Sequence, residues 1–189
     1  MRISLFVVFG FVLTLLNSCE NAPGIAKPGE LDVLPYYDIA GFVEGEISKL
    51  GNETVRKTTR INGKEEATEV TLSQEEWREE LDAFFKADIN KPSMVTAYST
   101  EVNGDVLLHR LQPGEKSSIK EIKVRIIDDR PIWVTFKISK ENFFYTSTII
   151  GEIYMNQRTQ KIDHYSIETT QKIMFLDANN LRIKGAVQP

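Results

Sequence analysis

Thiol and imidazole are nearly absent from this chain. Its 189 residues hold one cysteine, Cys19, and two histidines, His109 and His164. A single cysteine closes no intrachain disulfide and builds no thiolate metal site, and two histidines make a metal site only if carboxylates converge on them. Each histidine falls in a strand-like segment with polar neighbours, where an isolated imidazole is a surface group or a satisfied core group. Asp163 precedes His164, but neighbours along a strand point to opposite faces, so no oriented pair is expected there. A basic excess is also missing. The formal charge is −4, which argues against a nucleic-acid partner, since that needs a clustered basic face. No Gly-x-Ser-x-Gly elbow, glycine-rich phosphate loop, His-Glu-x-x-His helix or calcium loop is present. Carboxylates are plentiful, yet Glu75-Glu76 and Glu79-Glu80 have solvent-facing helical spacing, while Glu65-Glu66, Glu101 and Asp128-Asp129 sit at turns or edges. Paired-acid chemistry needs two carboxyls across a cleft. No catalytic residue, metal ligand or cofactor is assigned, and the expectation is a non-enzyme.

Long apolar runs are lacking too. The longest, Ile3–Leu16, is broken only by Ser4, Gly10 and Thr14. As a helix it rises about 21 Å, short of the ~30 Å of bilayer hydrocarbon. Arg2, that apolar core and small residues at its exit are the parts of a secretory signal. The exit reads Leu16-Asn17-Ser18-Cys19, and it resembles the lipobox of bacterial lipoproteins. That motif places Leu three before the Cys and a small residue directly before it; Asn17 is a mild departure. The resemblance covers these 19 residues. It implies that the Cys19 thiol takes a diacylglyceryl group, that the leader is cut before Cys19, and that the new amine is acylated with a fatty chain such as palmitate. A free exported thiol with no partner would be an oxidation liability. More than one acyl chain makes release from a membrane very slow.

The chain is therefore expected to divide into a signal peptide (1–18), lipidated Cys19 with a flexible tether (19–30), and one domain (31–189). Glu20–Glu30 reads ENAPGIAKPGE, with Pro23, Gly24, Pro28 and Gly29 as punctuation. Eleven such residues span about 17–20 Å root-mean-square.

Leu34–Leu50 reads as a first helix, with Asp32 as N-cap, Pro35 in the first turn and Gly51-Asn52 as the stop. Tyr36, Ile39, Val43, Ile47 and Leu50 form an apolar stripe, and Glu44, Glu46 and Lys49 fall on the wet side. Glu53–Thr71 is a charged hairpin around Asn62-Gly63, placed at an edge or protruding. Ser73–Lys86 is a second helix with a Ser73/Glu76 capping box and a Leu72–Trp77 staple. Trp77, Leu81, Phe84 and Phe85 fill its packing face. Period-two alternation follows. Met94–Val102 and Asp105–Leu111 form a hairpin on Asn103-Gly104, and Ser118–Ile127 comes next. In Ile132–Ile138 the residues Ile132, Val134, Phe136 and Ile138 alternate against Trp133, Thr135 and Lys137. Phe143–Met155, Lys161–Thr170, Lys172–Leu176 and Leu181–Val187 complete the set.

The expected fold is α+β: two N-terminal amphipathic helices packed on a curved antiparallel sheet of about six to eight strands. In element order this resembles the carriers and acceptors that move lipoproteins between bacterial membranes. The body is also similar in style to lipoproteins of Bacteroidota, which carries no activity with it. The location implied by the lipobox is the cell envelope, at the outer membrane facing the periplasm or the cell surface. Two functions follow. The first is an interaction module that recruits a protein by a sheet edge or by exposed aromatics such as Tyr98, Tyr145 and Tyr154. The alternative is a carrier holding a lipid or other apolar ligand in a cavity between sheet and helices.

Overall fold

A computed structural model describes residues 33–188. The leader, Cys19, the tether and the proposed Asp32 cap lie outside the described residues. Residues from Val33 onward form one compact unit with its own core.

The first helix, α1 (Ile39–Lys49), starts later than its periodicity predicts. Pro35 disfavours helical backbone at Leu34, so the chain bends through Pro35 and Tyr36 and turns helical only after Asp38, whose carboxylate accepts the Gly41 N–H at 2.8 Å as N-cap. Strands β1 (Thr54–Ile61) and β2 (Lys64–Thr71) form the hairpin on Asn62-Gly63, both with positive φ. The next segment opens on the capping box: the Glu76 N–H donates to Ser73 Oγ, and the Ser73 N–H donates to the Glu76 carboxylate. It is two short helices rather than one, α2 (Gln74–Glu80) and α3 (Asp82–Lys86). Leu81 leaves helical geometry between them (φ −98°, ψ 12°) while wholly buried. Nothing in its residue type breaks a helix; packing does, because the bend aims both Trp77 and Phe84 into the sheet.

A 3-10 turn at Pro92–Met94 replaces the start of the expected strand there. Strands β3 (Tyr98–Asn103), β4 (Val106–Leu111), β5 (Ile119–Ile127), β6 (Arg130–Glu141), β7 (Tyr145–Met155), β8 (Ile162–Ile173) and β9 (Asn179–Val187) follow. The two segments expected at Lys161–Thr170 and Lys172–Leu176 are one strand, β8, ended by a turn in which Phe175 has φ +66°. All nine strands join in one open antiparallel sheet, ordered β2-β1-β9-β8-β7-β6-β5-β4-β3. The count exceeds the expected six to eight because β9 returns to pair with β1 and draws the N-terminal hairpin into the sheet. That hairpin's outer strand β2 is an edge, and its Lys64, Glu65, Glu66 and Glu69 guard it against stray pairing.

The helices cover one face. Ile122, Val124, Val134, Phe136, Ile153, Tyr165 and Val55 point into the layer beneath them, all but fully buried. Two glycines shape this face. A Cβ on Gly151 would sit 2.3 Å from the Phe136 ring, and one on Gly185 would sit 2.2 Å from the Tyr165 ring. Each ring is the direct cross-strand partner of its glycine and lies flat over it. Phe84 of α3 then stands edge-on to Phe136 at 4.9 Å, and Trp77 of α2 edge-on to Tyr165 at 5.8 Å. Glu80 completes the second contact: it accepts from the Tyr165 hydroxyl at 2.9 Å and pairs with Lys57 at 2.5 Å. Glu80 and Glu46 are thus not on the solvent side as their spacing suggests; Glu46 is 5% exposed, with Lys49 at 2.5 Å.

Candidate functional site

The opposite face carries the more informative constellation. Antiparallel register places one residue from each of six adjacent strands in a single cross-strand row: Arg56, Ala186, His164, Tyr154, Trp133 and Arg125. At the usual strand spacing this row is about 24 Å long. No described helix packs on it. The His164 and Tyr154 rings stack with centroids 4.4 Å apart and planes 13° from parallel, and Trp133 leans on Tyr154 at 6.2 Å. An open groove of about 470 Å³ runs beside Tyr154 and His164 toward Arg56 and Lys184. A second, of about 400 Å³, runs along Trp133 toward Arg125 and Asp163.

Two β-bulges flank the row. The register between β5 and β6 slips after Arg125, leaving Ile132 as the extra residue; the register between β7 and β8 slips after Tyr154, leaving Asp163 as the extra one. Bulges re-aim the side chains around them and recur beside functional sites. The second overturns the expectation that Asp163 and His164 face apart. Asp163 Oδ2 lies 2.8 Å from His164 Nδ1, and Asn156 donates to the other carboxylate oxygen at 3.2 Å. The His164 contact foremost, with Asn156 helping, holds the Asp163 carboxyl below its usual range. Burial, and then the charge of Glu152 two residues back on the same face, push the Tyr154 hydroxyl upward. At the row's end, Arg125 is tied to Asp105 at 2.6 Å.

Chemically the row offers flat rings between cations, with donors and acceptors at both ends. His164 and Asp163 have the form of an oriented base. Activating a nucleophile requires a hydroxyl or thiol in hydrogen-bond reach, and among the described residues His164 makes no such bond, Ser166 included. No group of three metal-ligating side chains occurs among the described residues.

His109 lies on the other face, 2% exposed. Its Nε2 accepts the Tyr37 N–H at 3.0 Å and its Nδ1 meets Thr100 Oγ1 at 2.9 Å. A backbone N–H only donates, so Nε2 is bare and the ring is neutral with its proton on Nδ1. Burial lowers its pKa. The two histidines are far apart in role: one is a satisfied core group, the other a surface group in an aromatic row.

Of the aromatics proposed as exposed, Tyr154 is central to the row and Tyr145 sits at the end of β7. Tyr98 is a correction. It is 4% exposed, with its hydroxyl donated to the Ile119 carbonyl at 2.9 Å; it starts β3 and packs edge-on to Tyr36. Trp133, Arg56 and Arg125 were not singled out by sequence reasoning. The available signal was Trp133 itself, a large apolar ring on the polar side of an alternating strand.

No family model, characterised protein or solved structure matches this chain.

Proposed function

We propose that this chain is a membrane-anchored, non-catalytic interaction module of the cell envelope. It is held at the outer membrane, on the periplasmic side, by a lipid on Cys19, and it recruits a protein partner on the open face of its sheet. The observation that carries the binding role is the Arg56–His164–Tyr154–Trp133–Arg125 row. Tyr, Trp and Arg are the residue types that dominate protein–protein binding energy, and here they are grouped at the middle of an uncovered face. What supports a surface module over the carrier alternative is the filling of the interlayer space. Trp77, Phe84, Phe136 and Tyr165 occupy it with almost no exposure, where a carrier needs an apolar cavity of a few hundred Å³.

A photo-crosslinking side chain placed at Tyr154 of the full chain in cells is the direct test. A discrete protein adduct is expected, absent when the same group is placed at Glu79 on the outward side of α2, and lost when Trp133→Ala and Arg125→Glu are added. Adducts of equal yield from positions 154 and 79 would defeat the binding face. The anchor has its own test: Cys19→Ser is expected to remove the fatty mass and release the chain from the membrane fraction.

A further inference from the structure

We propose that the end of the sheet formed by the β6–β7 and β8–β9 loops is a membrane-inserting tip, dipping into the interfacial layer of the bilayer that the anchor reaches. The inference rests on the anchored reading above. The two loops present Phe143, Phe144, Tyr145, Ile173, Phe175 and Leu176 to solvent, and Phe175 is 96% exposed. It sits in a turn with φ +66°. Six large apolar side chains on two neighbouring loops form a contiguous patch of a kind that marks an interaction site on a soluble surface. The patch lies at the extremity of the sheet, where β6 turns into β7 and β8 turns into β9.

Part of the backbone of these loops is satisfied internally. Asn142 Oδ1 accepts the N–H groups of Phe144 and Tyr145 at 2.8 and 2.9 Å. The Asn142 N–H donates to the Tyr145 carbonyl at 2.9 Å, the Met174 N–H to the Phe144 carbonyl at 2.8 Å, and the Leu176 N–H to the Ile173 carbonyl at 3.0 Å. The last two tie each loop to its neighbour or to itself. Backbone groups satisfied internally are the condition for a loop to enter an apolar phase.

The path of the chain selects the occupant. Helix α1 runs away from this end of the sheet, toward the start of β1 at the other end. Just before it, the Tyr36 hydroxyl donates to the Val95 carbonyl at 2.7 Å, immediately ahead of β3, whose first residue lies at the loop end. The domain thus begins on the side where the apolar loops are. Val33 and Cys19 are 14 positions apart, which allows at most about 50 Å of extended chain. A lipid on Cys19 leaves this end of the sheet within reach of the bilayer. The nearby charges are mixed: Lys140 and Lys172 stand behind the patch, with Glu141 and Asp177 beside it. Insertion is therefore driven by apolar burial and does not require anionic lipid.

The chain's single cysteine makes the test clean. The full chain is reconstituted in phosphatidylcholine vesicles, and Phe175→Cys is labelled with an environment-sensitive fluorophore. Val102→Cys, 70% exposed at the opposite end of the sheet, serves as reference. The probe at 175 is expected to shift to the blue and to lose most of its emission when doxyl-labelled lipids are included, while the probe at 102 does neither. No quenching at 175, or equal quenching at both positions, overturns the tip; so does a blue shift without lipid quenching, which would mean a protein covers the loops. If the parent chain itself takes the label, Cys19 is free and the anchoring reading fails. The probe at 175 is then read on the Cys19→Ser background, where lipid quenching still decides the tip.

Discussion

The two faces of the sheet use the same kinds of side chain to opposite ends. Beneath the helices, Phe136 and Tyr165 lie over glycines and each is closed off by an aromatic from α2 or α3. On the open face, Trp133, Tyr154 and His164 also lie ring beside ring, one residue along the same strands, and no described element covers them. Val134 is buried and its neighbour Trp133 is not fully so; Tyr165 is buried and its neighbour His164 is exposed. Alternation along a strand therefore provides two aromatic sets, one that joins the layers and one left available. The test of this contrast is energetic. Changes on the covered face should unfold the domain, and those on the open face should not.

The largest effect is expected from the helix aromatics. Trp77→Ala or Phe84→Ala removes a fully buried ring and should cost about 3–5 kcal/mol. At ~2–4 °C per kcal/mol for a domain of this size, melting temperature should drop by roughly 6–20 °C in calorimetry. Unchanged melting for both would mean that the interlayer contact is not what holds the fold. Next are neighbouring residues on β9. Gly185→Ala drives a methyl into the Tyr165 ring and should cost about 1–3 kcal/mol through overpacking. Ala186→Val, one residue on and exposed on the other face, should stay within about 0.5 kcal/mol.

The histidines sharpen the comparison through pH. His109 is buried neutral with its pKa lowered from the ordinary 6.5 by burial. Above 6.5 the ring is neutral folded or unfolded, and its contribution to stability is complete. As pH falls below that value the unfolded chain takes up the proton first, so stability declines toward the folded-state pKa, by at most about 1.4 kcal/mol per pH unit from this group. Urea midpoints measured from pH 7.5 to pH 5 should show the decline. His109→Gln should flatten it.

Much of the covered face was legible in residue order. The Ser73/Glu76 capping box, the Asn62-Gly63 turn and the inward Val134, Phe136 and Ile138 each name a local structure by local chemistry, and each stands in the fold, whereas Ile132, expected to alternate with them, is the extra residue of a bulge. What was not legible depends on contacts distant in the chain. The break at Leu81 arises from two rings that must reach Phe136 and Tyr165, about 50 and 90 residues away in sequence. The same holds for Glu80, which periodicity places in solvent and which Lys57 and Tyr165 draw inward. The bulge at Asp163 has no glycine or proline to announce it, yet it reverses the expected relation of Asp163 to His164. The row itself needs the register of six strands, and no single strand reveals that Arg56 and Arg125 bracket the aromatics.

A small expected stability effect is the most telling for function. Tyr154 stacks on His164 and touches Trp133, and pairs of this kind contribute about 0.5–1.5 kcal/mol. Tyr154→Ala should therefore shift the melting temperature by only a few degrees, far less than Trp77→Ala. Against a partner the order should reverse. An anchor at the centre of an interface costs roughly 2 kcal/mol or more on truncation, about a thirtyfold loss of affinity, whereas a core change that leaves the fold intact does not touch the partner. The adduct captured at neighbouring positions on the open face should disappear in Tyr154→Ala while the protein still melts cooperatively. Should Tyr154→Ala instead unfold the domain as severely as Trp77→Ala, the row would be part of the scaffold, the two faces would be energetically alike, and the open face would lose its claim to be the binding surface.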